Sequence, residues 1–274
     1  MKPKNLVRLL LIFILMPVSM AKAQNIDPFY YKQQKKVNCS NGAVVSANAL
    51  ASKVGVTILL KGGNAIDAAI ATQLALAVVY PGAGNIGGGG FMLAHLKNGK
   101  NISIDFRETA PAQSNRDMYL DKKGNPQMNL SQDGHLASGI PGSVAGIFAA
   151  MKYATLPFKT LIQPAIELAE KGFSISANQA NDFNELKNEF IQLNTSPTAF
   201  VKTTPWKAGD KLIQKDLANT LKRIRDKGVK EFYEGVTAEL IVAEMAKGNG
   251  IITCLLYTSP SPQDRTRSRM PSSA

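Results

Sequence analysis

The chain is poor in the residues that most often build metal sites and disulfides. Its 274 residues include two cysteines, Cys39 and Cys254, and two histidines, His95 and His135. Two cysteines are too few for a disulfide framework. The histidines stand 40 residues apart, with no cysteine or carboxylate at ligand spacing. We therefore expect no metal site, and the sequence indicates no cofactor.

The chain also lacks a block of clustered positive charge, although its formal net charge is +12. Residues 1–23 carry +4 of this charge and residues 254–274 carry +2. The remaining +6 is spread over residues 24–253 without a basic patch interleaved with aromatic residues. Nucleic-acid binding requires such a patch, so this class of function is not expected.

The chain has few long hydrophobic runs, and its most apolar stretch lies near the N-terminus. Met1–Arg8 is basic, Leu9–Met16 is an unbroken apolar run, and Ala21–Ala23 forms a small-x-small cleavage site. This order is typical of a secretory signal peptide, whereas a membrane anchor, the alternative, needs about 20 apolar residues. We expect a signal peptide over residues 1–23, a mature chain from Gln24, and a periplasmic or secreted product without a membrane span.

A glycine-rich stretch after the second predicted helix matches the pattern of dinucleotide-binding sites. Gly82, Gly84 and Gly87 fit G-x-G-x-x-G, and Asp105 follows Gly87 by 18 residues. That site needs a strand before the glycines and a helix after them, because the helix N-terminus holds the pyrophosphate. Here a helix, Ala65–Val79, comes before them and a hairpin after them, so the pattern does not indicate a dinucleotide.

The hydrophobic pattern predicts a mixed α/β chain with strands early and helices later. Asn48 precedes the first predicted helix, Asn64 is a predicted N-cap of the second, and Asn98–Gly99 is a predicted hairpin turn. Predicted strands are Ala43–Ser46, Phe91–Leu96 and Asn101–Phe106, predicted helices are Ala49–Leu60, Ala65–Val79, Ser143–Tyr153, Phe158–Lys171, Ala177–Leu193, Lys215–Asp226 and Gly235–Ala246, and predicted loops are Asn115–Pro126, Asn194–Asp210 and Lys227–Glu234.

Arg107 is the main candidate for ligand binding. It follows the apolar Phe106 at the end of a predicted strand, near the glycine-rich stretch. A guanidinium there could bind a carboxylate through two parallel hydrogen bonds. The alternative is a structural ion pair with Asp105, Glu108 or Asp117, and spacing alone leaves both interpretations open.

No nucleophile with its base is evident within the chain. Ser143 lies in a segment that resembles a nucleophile elbow only if the G-x-S-x-G spacing is ignored, and no Asp-His order follows it. We expect Ser143 in the first turn of a helix. Cys39 has no plausible histidine partner, so we expect it to be an ordinary thiol.

Several segments, in one order over about residues 40–253, together resemble the large subunit of γ-glutamyltranspeptidases. They are Lys61–Thr72 (KGGNAIDAAIAT), Pro81–Ala94 (PGAGNIGGGGFMLA), Asp105–Ala112 (DFRETAPA), Ser138–Phe148 (SGIPGSVAGIF), Leu161–Ser174 (LIQPAIELAEKGFS) and Phe232–Val236 (FYEGV). Each segment alone is weak, but their common order makes the resemblance specific.

The resemblance implies an α/β (α+β) fold of the N-terminal-nucleophile hydrolase type. This fold is a four-layer αββα sandwich, incomplete here because the small-subunit half is missing. Members are exported as one chain and cleave themselves into two subunits. The new N-terminal threonine attacks the γ-glutamyl amide of glutathione or related compounds, and water or an amino acid or peptide takes the acyl group.

The resemblance assigns one site residue to this chain, because Arg107 matches the arginine that binds the α-carboxylate of the glutamyl group. Glu108 is adjacent and could orient it, without a catalytic role. No catalytic residue is expected here, since the threonine belongs to the missing small subunit, which is the expected protein partner.

The predicted domains are the signal peptide, a truncated large-subunit part over residues 24–253, and an extraneous or disordered tail over residues 254–274. The tail has no family character. Because the nucleophilic threonine belongs to the small subunit, we expect the polypeptide alone to be inactive. Two other interpretations stay open: an exported amidase or acylase of the same fold with another acyl group, and a non-catalytic exported binding protein.

Overall fold

A computed structural model of the chain describes residues 38–253, so the predicted signal peptide and the predicted tail lie outside the described residues. The helices are α1 (Ala49–Leu60), α2 (Ala65–Val79), α3 (Met128–Gln132), α4 (Ser143–Ala150), α5 (Phe158–Lys171), α6 (Ala177–Glu185), α7 (Lys187–Leu193), α8 (Lys215–Lys227), α9 (Val229–Glu234) and α10 (Val236–Lys247). The strands are β1 (Phe91–His95), β2 (Asn101–Asp105), β3 (Phe173–Ser174) and β4 (Lys211–Leu212). Within residues 38–253, no helix combines the length and apolar content needed to cross a bilayer.

The first two helices begin at the predicted residues, each after an asparagine N-cap. Asn48 accepts a hydrogen bond from the first turn of α1. At the start of α2, Asn64 Oδ1 accepts the N–H of Asp67 at 3.0 Å, and Asp67 Oδ2 accepts the N–H of Asn64 at 2.8 Å. This is a capping box. The fully buried Asp67 carboxylate also accepts the N–H groups of Thr155 and Leu156, so it ties α2 to the loop before α5.

The C-terminal end of α2 is capped by amide side chains from three distant elements. Asn48 Nδ2 and Gln179 Nε2 donate to the Val79 carbonyl at 3.1 and 2.9 Å. The buried Gln214 donates to the Val78 carbonyl at 2.8 Å. The last carbonyls of a helix have no partner within the helix, so these bonds satisfy groups that burial would otherwise leave unpaired.

The hydrophobic core lies around α2 and α5. Alanines give α2 a thin side-chain layer, and this helix contacts α1 and α5 while α5 contacts α8. The buried residues of α5 recur with the spacing of one helical face, and the helix continues through Pro164. They are Leu161, Ile162, Ala165, Ile166 and Ala169. The predicted bounds of α5 are confirmed.

The predicted hairpin is confirmed, with an antiparallel pairing that sets Phe91 opposite Asp105 and Leu93 opposite Ser103. Gly99 in the turn has a φ of 80°, a conformation that favours glycine. One face of the hairpin packs inward through the buried Ile102. On the other face Phe91 and Leu93 are 61% and 82% exposed. Arg107 leaves the hairpin on the side of Phe91.

The predicted strand over Ala43–Ser46 is wrong, since these residues form no strand. A strand needs a neighbouring backbone for its hydrogen bonds, and no part of residues 38–253 provides one for this segment. Side-chain exposure nevertheless alternates along this segment. Val44 packs towards Gly55 of α1, whereas Val45 is 93% exposed.

The predicted loop over Lys227–Glu234 is also wrong, because α9 occupies most of it. Gly228, with a φ of 76°, ends α8, and a second helix starts at the next residue. Burial of Phe232 and Tyr233 stabilises this short helix, so tertiary packing overrides the glycine boundaries. The predicted single helix Ala177–Leu193 is likewise interrupted at Leu186, between α6 and α7.

One carboxylate ties α10 to two distant segments. Glu244 Oε1 lies 3.1 Å from His135 Nε2 and accepts a hydrogen bond from Thr195 Oγ1, and Lys247 Nζ lies 3.2 Å from Glu244 Oε2. The Thr195 and His135 hydrogen bonds, followed by Lys247, lower the pKa of Glu244 to about 2. These contacts favour the charged form of Glu244, and they stabilise the packing of α10 on the two segments.

Candidate functional site at the end of the hairpin

Arg107 lies two residues after the end of β2 and is exposed. Its backbone N–H donates to Asp105 Oδ1 at 3.0 Å, which closes a small turn after the strand. Its guanidinium carbon lies 5.9 Å from the centre of the Phe91 ring, within the range of a cation–π contact. The ring thus lies beside the guanidinium on the outer face of the hairpin.

The guanidinium of Arg107 forms no ion pair within the described residues. No carboxylate between residues 38 and 253 lies within 4.0 Å of it, and Asp117 instead lies 3.9 Å from Arg116. The predicted alternative, a structural ion pair with Asp105, Glu108 or Asp117, is therefore not formed there. An exposed guanidinium in this state can accept a carboxylate from a ligand without first breaking an internal pair.

The glycine-rich stretch packs directly on the backbone that carries Arg107. Gly90 and Phe106 exchange backbone hydrogen bonds of 3.3 and 3.0 Å. A Cβ atom on Gly89 would lie 2.6 Å from the Phe106 carbonyl oxygen and 2.7 Å from Arg107 Cα. Only glycine allows this approach at position 89, because the added Cβ atom would meet backbone atoms there.

The glycines of the G-x-G-x-x-G pattern itself behave differently from one another. A Cβ on Gly84 would overlap the Leu76 carbonyl of α2, whereas Gly82 and Gly87 have open space around the Cβ position. The stretch follows α2 and precedes β1, so a helix comes before it and a strand after it. This order confirms that the pattern is not built like a dinucleotide site.

A third segment, residues 139–143, completes the site. Thr109 and Ile140 exchange backbone hydrogen bonds of 3.2 and 2.8 Å. The N–H groups of Gly142 and Ser143 both donate to the Gly88 carbonyl, at 2.7 and 2.9 Å. Glycine stretch, hairpin exit and this loop are thus joined by backbone bonds around Arg107.

Ser143 and the histidines do not form a catalytic group in the described residues. Ser143 is buried in the first turn of α4, as predicted. His95 Nδ1 lies 2.7 Å from Asn101 Oδ1 on the hairpin, and His135 contacts Glu244. Between residues 38 and 253, no grouping of three or more His, Cys, Asp or Glu residues could hold a metal ion.

Tyr233 is a site-forming residue to which sequence reasoning gave no role. Its hydroxyl donates to the Pro141 carbonyl at 2.8 Å and accepts the N–H of Ala145 at 3.1 Å. From the sequence, the segment Phe232–Val236 contributed only to the family resemblance. The contact spans about ninety positions of the chain, 92 to Pro141 and 88 to Ala145, so no local pattern could have indicated it.

Comparison with known proteins decides the family. The family model described as Gamma-glutamyltranspeptidase matches residues 51–254, well over half of the chain. The chain belongs to the γ-glutamyltranspeptidase family. The resemblance read from the sequence segments is thereby confirmed, and the match includes the glycine stretch, Arg107 and Tyr233.

Individual relatives agree with this assignment. The chain is 47% identical over 220 residues to the glutathione hydrolase proenzyme of Escherichia coli K12, covering 79% of this chain and 38% of that protein. It matches the crystal structure of Helicobacter pylori γ-glutamyltranspeptidase with 49% identity and a TM-score of 0.77, covering 80% of this chain and 64% of that chain. It also matches the structure of γ-glutamyltranspeptidase from Pseudomonas nitroreducens complexed with L-DON. The sequence identity is 41% and the TM-score is 0.72, and the match covers 79% of this chain and 64% of that chain.

This member of the γ-glutamyltranspeptidase family thus spans less than half the length of the E. coli relative. The fold class is confirmed as α/β, shared with γ-glutamyltranspeptidases and related N-terminal-nucleophile hydrolases. The described part contributes helices and two two-stranded antiparallel sheets to that fold.

Proposed function

We propose that the chain is the large-subunit part of an exported γ-glutamyltransferase and glutathione hydrolase precursor. The observation that carries this proposal is the exposed Arg107 guanidinium, without an internal carboxylate partner in residues 38–253, in a chain of this family. The substrates are glutathione or other γ-glutamyl compounds. The product compartment is the periplasm or the cell exterior, in line with the N-terminal sequence.

Arg107 is proposed to bind the α-carboxylate of the γ-glutamyl group. The planar guanidinium can donate two parallel N–H bonds to the two oxygens of a carboxylate. Binding the α-carboxylate at a fixed place orients the γ-carbonyl of the same substrate towards an attacking group. The Phe91 ring and the backbone contacts of Gly89 support the arginine in this role.

The reaction itself uses a nucleophile from the small subunit of the same precursor. In the proposed reaction a threonine hydroxyl attacks the γ-carbonyl carbon, and an ester bond forms as the amide C–N bond breaks. The hydroxyl proton passes through the free amine of the same threonine to the leaving amine. Water then cleaves the ester to give glutamate, or an acceptor amine takes the γ-glutamyl group. Residues 24–253 supply binding and orientation, so alone they are expected to release no p-nitroaniline from a γ-glutamyl anilide.

The test replaces Arg107 in the complete precursor after it has matured. Arg107→Ala removes a charge-assisted pair, and we expect a loss of about 2–3 kcal/mol, roughly 30- to 150-fold in KM for γ-glutamyl donors. Arg116→Ala is the matched control, since it removes an exposed arginine whose nearest carboxylate is its neighbour Asp117. An unchanged KM in Arg107→Ala would contradict the proposed role.

A substrate panel tests the acyl group. The matured precursor is offered γ-glutamyl anilide and anilides of acyl groups that lack an α-carboxylate. Selective turnover of the γ-glutamyl compound supports the proposal. Preference for another acyl group would identify an amidase or acylase of the same fold, and no turnover of any compound would favour a binding protein.

A further inference from the structure

The helix beside Arg107, α4, starts at a residue that cannot cap it. Gly142 is the N-cap and has no side chain to accept an N–H of the first turn. A Cβ atom at this position would overlap the Phe106 carbonyl and lie 2.9 Å from the Arg107 carbonyl oxygen. Serine, threonine, asparagine and aspartate, the usual caps, are therefore excluded by the hairpin exit itself. The N–H groups of the first turn need acceptors from elsewhere.

Two distant groups provide these acceptors. The Gly88 carbonyl accepts the N–H groups of Gly142 and Ser143. The Tyr233 hydroxyl accepts the N–H of Ala145 and donates its own proton to the Pro141 carbonyl. Tyr233 thus acts as a cap from α9 and joins both sides of the Gly142 position.

The loop that Tyr233 holds forms one wall of the Arg107 site. Ile140 pairs with Thr109 through two backbone hydrogen bonds, and Gly139 would place a Cβ atom 3.1 Å from Glu108 Cβ. A loop held this close restricts where the backbone of residues 106–109 can lie. Outward movement of Pro141 would therefore shift a loop that packs on residues 106–109.

Tyr233 is itself held firmly. Its neighbour Glu231 is buried and lies 3.2 Å from Arg223 and 3.4 Å from Lys227, so α9 is tied to α8 by two ion pairs. The rings of Phe232 and Tyr233 pack edge to face at 5.0 Å. The hydroxyl is therefore presented to α4 by a short helix that two ion pairs tie to α8.

We propose that Tyr233 is a positioning residue for ligand binding by Arg107. It acts through the residue 139–143 loop and need not touch the ligand. This inference rests on the proposed function, because it assumes that Arg107 binds the α-carboxylate of the donor. It assigns to the FYEG segment a role in substrate affinity besides its role in packing.

The test is Tyr233→Phe in the matured complete precursor. Phenylalanine keeps the buried ring, so the fold is retained while the Pro141 carbonyl and the Ala145 N–H lose their partner. We expect KM for γ-glutamyl donors to rise about fivefold to tenfold, with kcat unchanged. Tyr119→Phe is the matched control, since its hydroxyl donates to the Leu136 carbonyl at 3.3 Å, outside the loop. KM should be unchanged in this control.

A double-mutant cycle separates positioning from general destabilisation. In an Arg107→Ala background, Tyr233→Phe should add no further rise in KM, because the group that it positions is gone. A full additional rise would overturn the inference, as would an unchanged KM in Tyr233→Phe alone. If Arg107→Ala itself leaves KM unchanged, the proposed carboxylate site fails, and the inference about Tyr233 fails with it.

Discussion

In the core around α5, large apolar side chains fill the space between helices, whereas at the end of the hairpin glycines let three backbone segments touch. Leu161 and Ile162 are fully buried in the first region. In the second, Gly89, Gly90 and Gly142 leave no room for a Cβ atom against residues 106–108. Packing in the first region depends on large side chains, whereas packing in the second depends on glycines that have no Cβ atom.

Because of this difference, we expect substitutions in the two regions to change different properties of the protein. Removing buried methyl groups from the core leaves a cavity and lowers the free energy of unfolding. Adding a methyl group at the hairpin exit is expected to displace the backbone of Arg107, and therefore to shift the position of its guanidinium. Variants in the two regions should therefore differ in kind: core variants lower stability at constant KM, and site variants raise KM.

The largest effect on stability is expected from Leu161→Ala in the complete precursor. Loss of a fully buried leucine should lower the free energy of unfolding by about 3–4 kcal/mol, measured by chemical denaturation. Leu60→Ala is the control, because Leu60 is 83% exposed, and its effect should stay within about 0.5 kcal/mol. Equal losses in the two variants would mean that the core is not organised around α5.

A smaller loss of stability, with a change in binding, is expected from Gly89→Ala. The added methyl group would lie 2.7 Å from Arg107 Cα, and overpacking of this kind costs about 1–3 kcal/mol. KM for γ-glutamyl donors should rise as Arg107 is displaced. Gly82→Ala adds the same methyl group in open space and should change neither quantity. Matching KM values for the two variants would show that the contact does not position Arg107.

The smallest effect is expected from Glu244→Gln and depends on pH. Because the folded pKa of Glu244 is about 2, below its ordinary value of 4.5, its charged form stabilises the protein above about pH 4.5. This contribution is lost as the pH falls through about 2. The carboxylate side chain is 36% exposed, so solvent screening limits the effect to less than about 1 kcal/mol.

Denaturation midpoints of wild type and Glu244→Gln should therefore differ at pH 7 and converge as the pH falls from about 4.5 towards 2. Glu239→Gln serves as the control, since Glu239 is exposed on the same helix and forms no ion pair in the described part of the chain. A constant difference at all pH values would contradict the role of the Glu244 charge.

Local chemistry explains which elements could be predicted from the sequence. The bounds of α1, the cap of α2, the Asn98–Gly99 turn and the bounds of α5 depend on residues a few positions apart, and these predictions are confirmed. The placement of Arg107 after a strand follows from the same local pattern. Its open guanidinium could not be predicted, because spacing also allowed an ion pair with Asp105, Glu108 or Asp117.

The features that sequence reasoning missed depend on contacts between distant residues. The helix α9 forms between two glycines because Phe232 and Tyr233 are buried by other elements. The strand pair β3 and β4 joins Phe173 to Leu212, nearly forty residues later, 212 against 173. Tyr233 caps α4 across 88 positions. None of these contacts has a sequence periodicity from which it could be read.

The central claim is that Arg107 binds the donor α-carboxylate, and one measurement tests it most directly. KM is compared for a γ-glutamyl anilide and its α-carboxamide analogue, in the matured precursor and in Arg107→Ala and Arg116→Ala. We predict that Arg107→Ala raises KM roughly 30- to 150-fold for the carboxylate donor and leaves KM for the carboxamide unchanged. Arg116→Ala should keep the wild-type preference. A preference for the carboxylate that persists in Arg107→Ala would contradict the account.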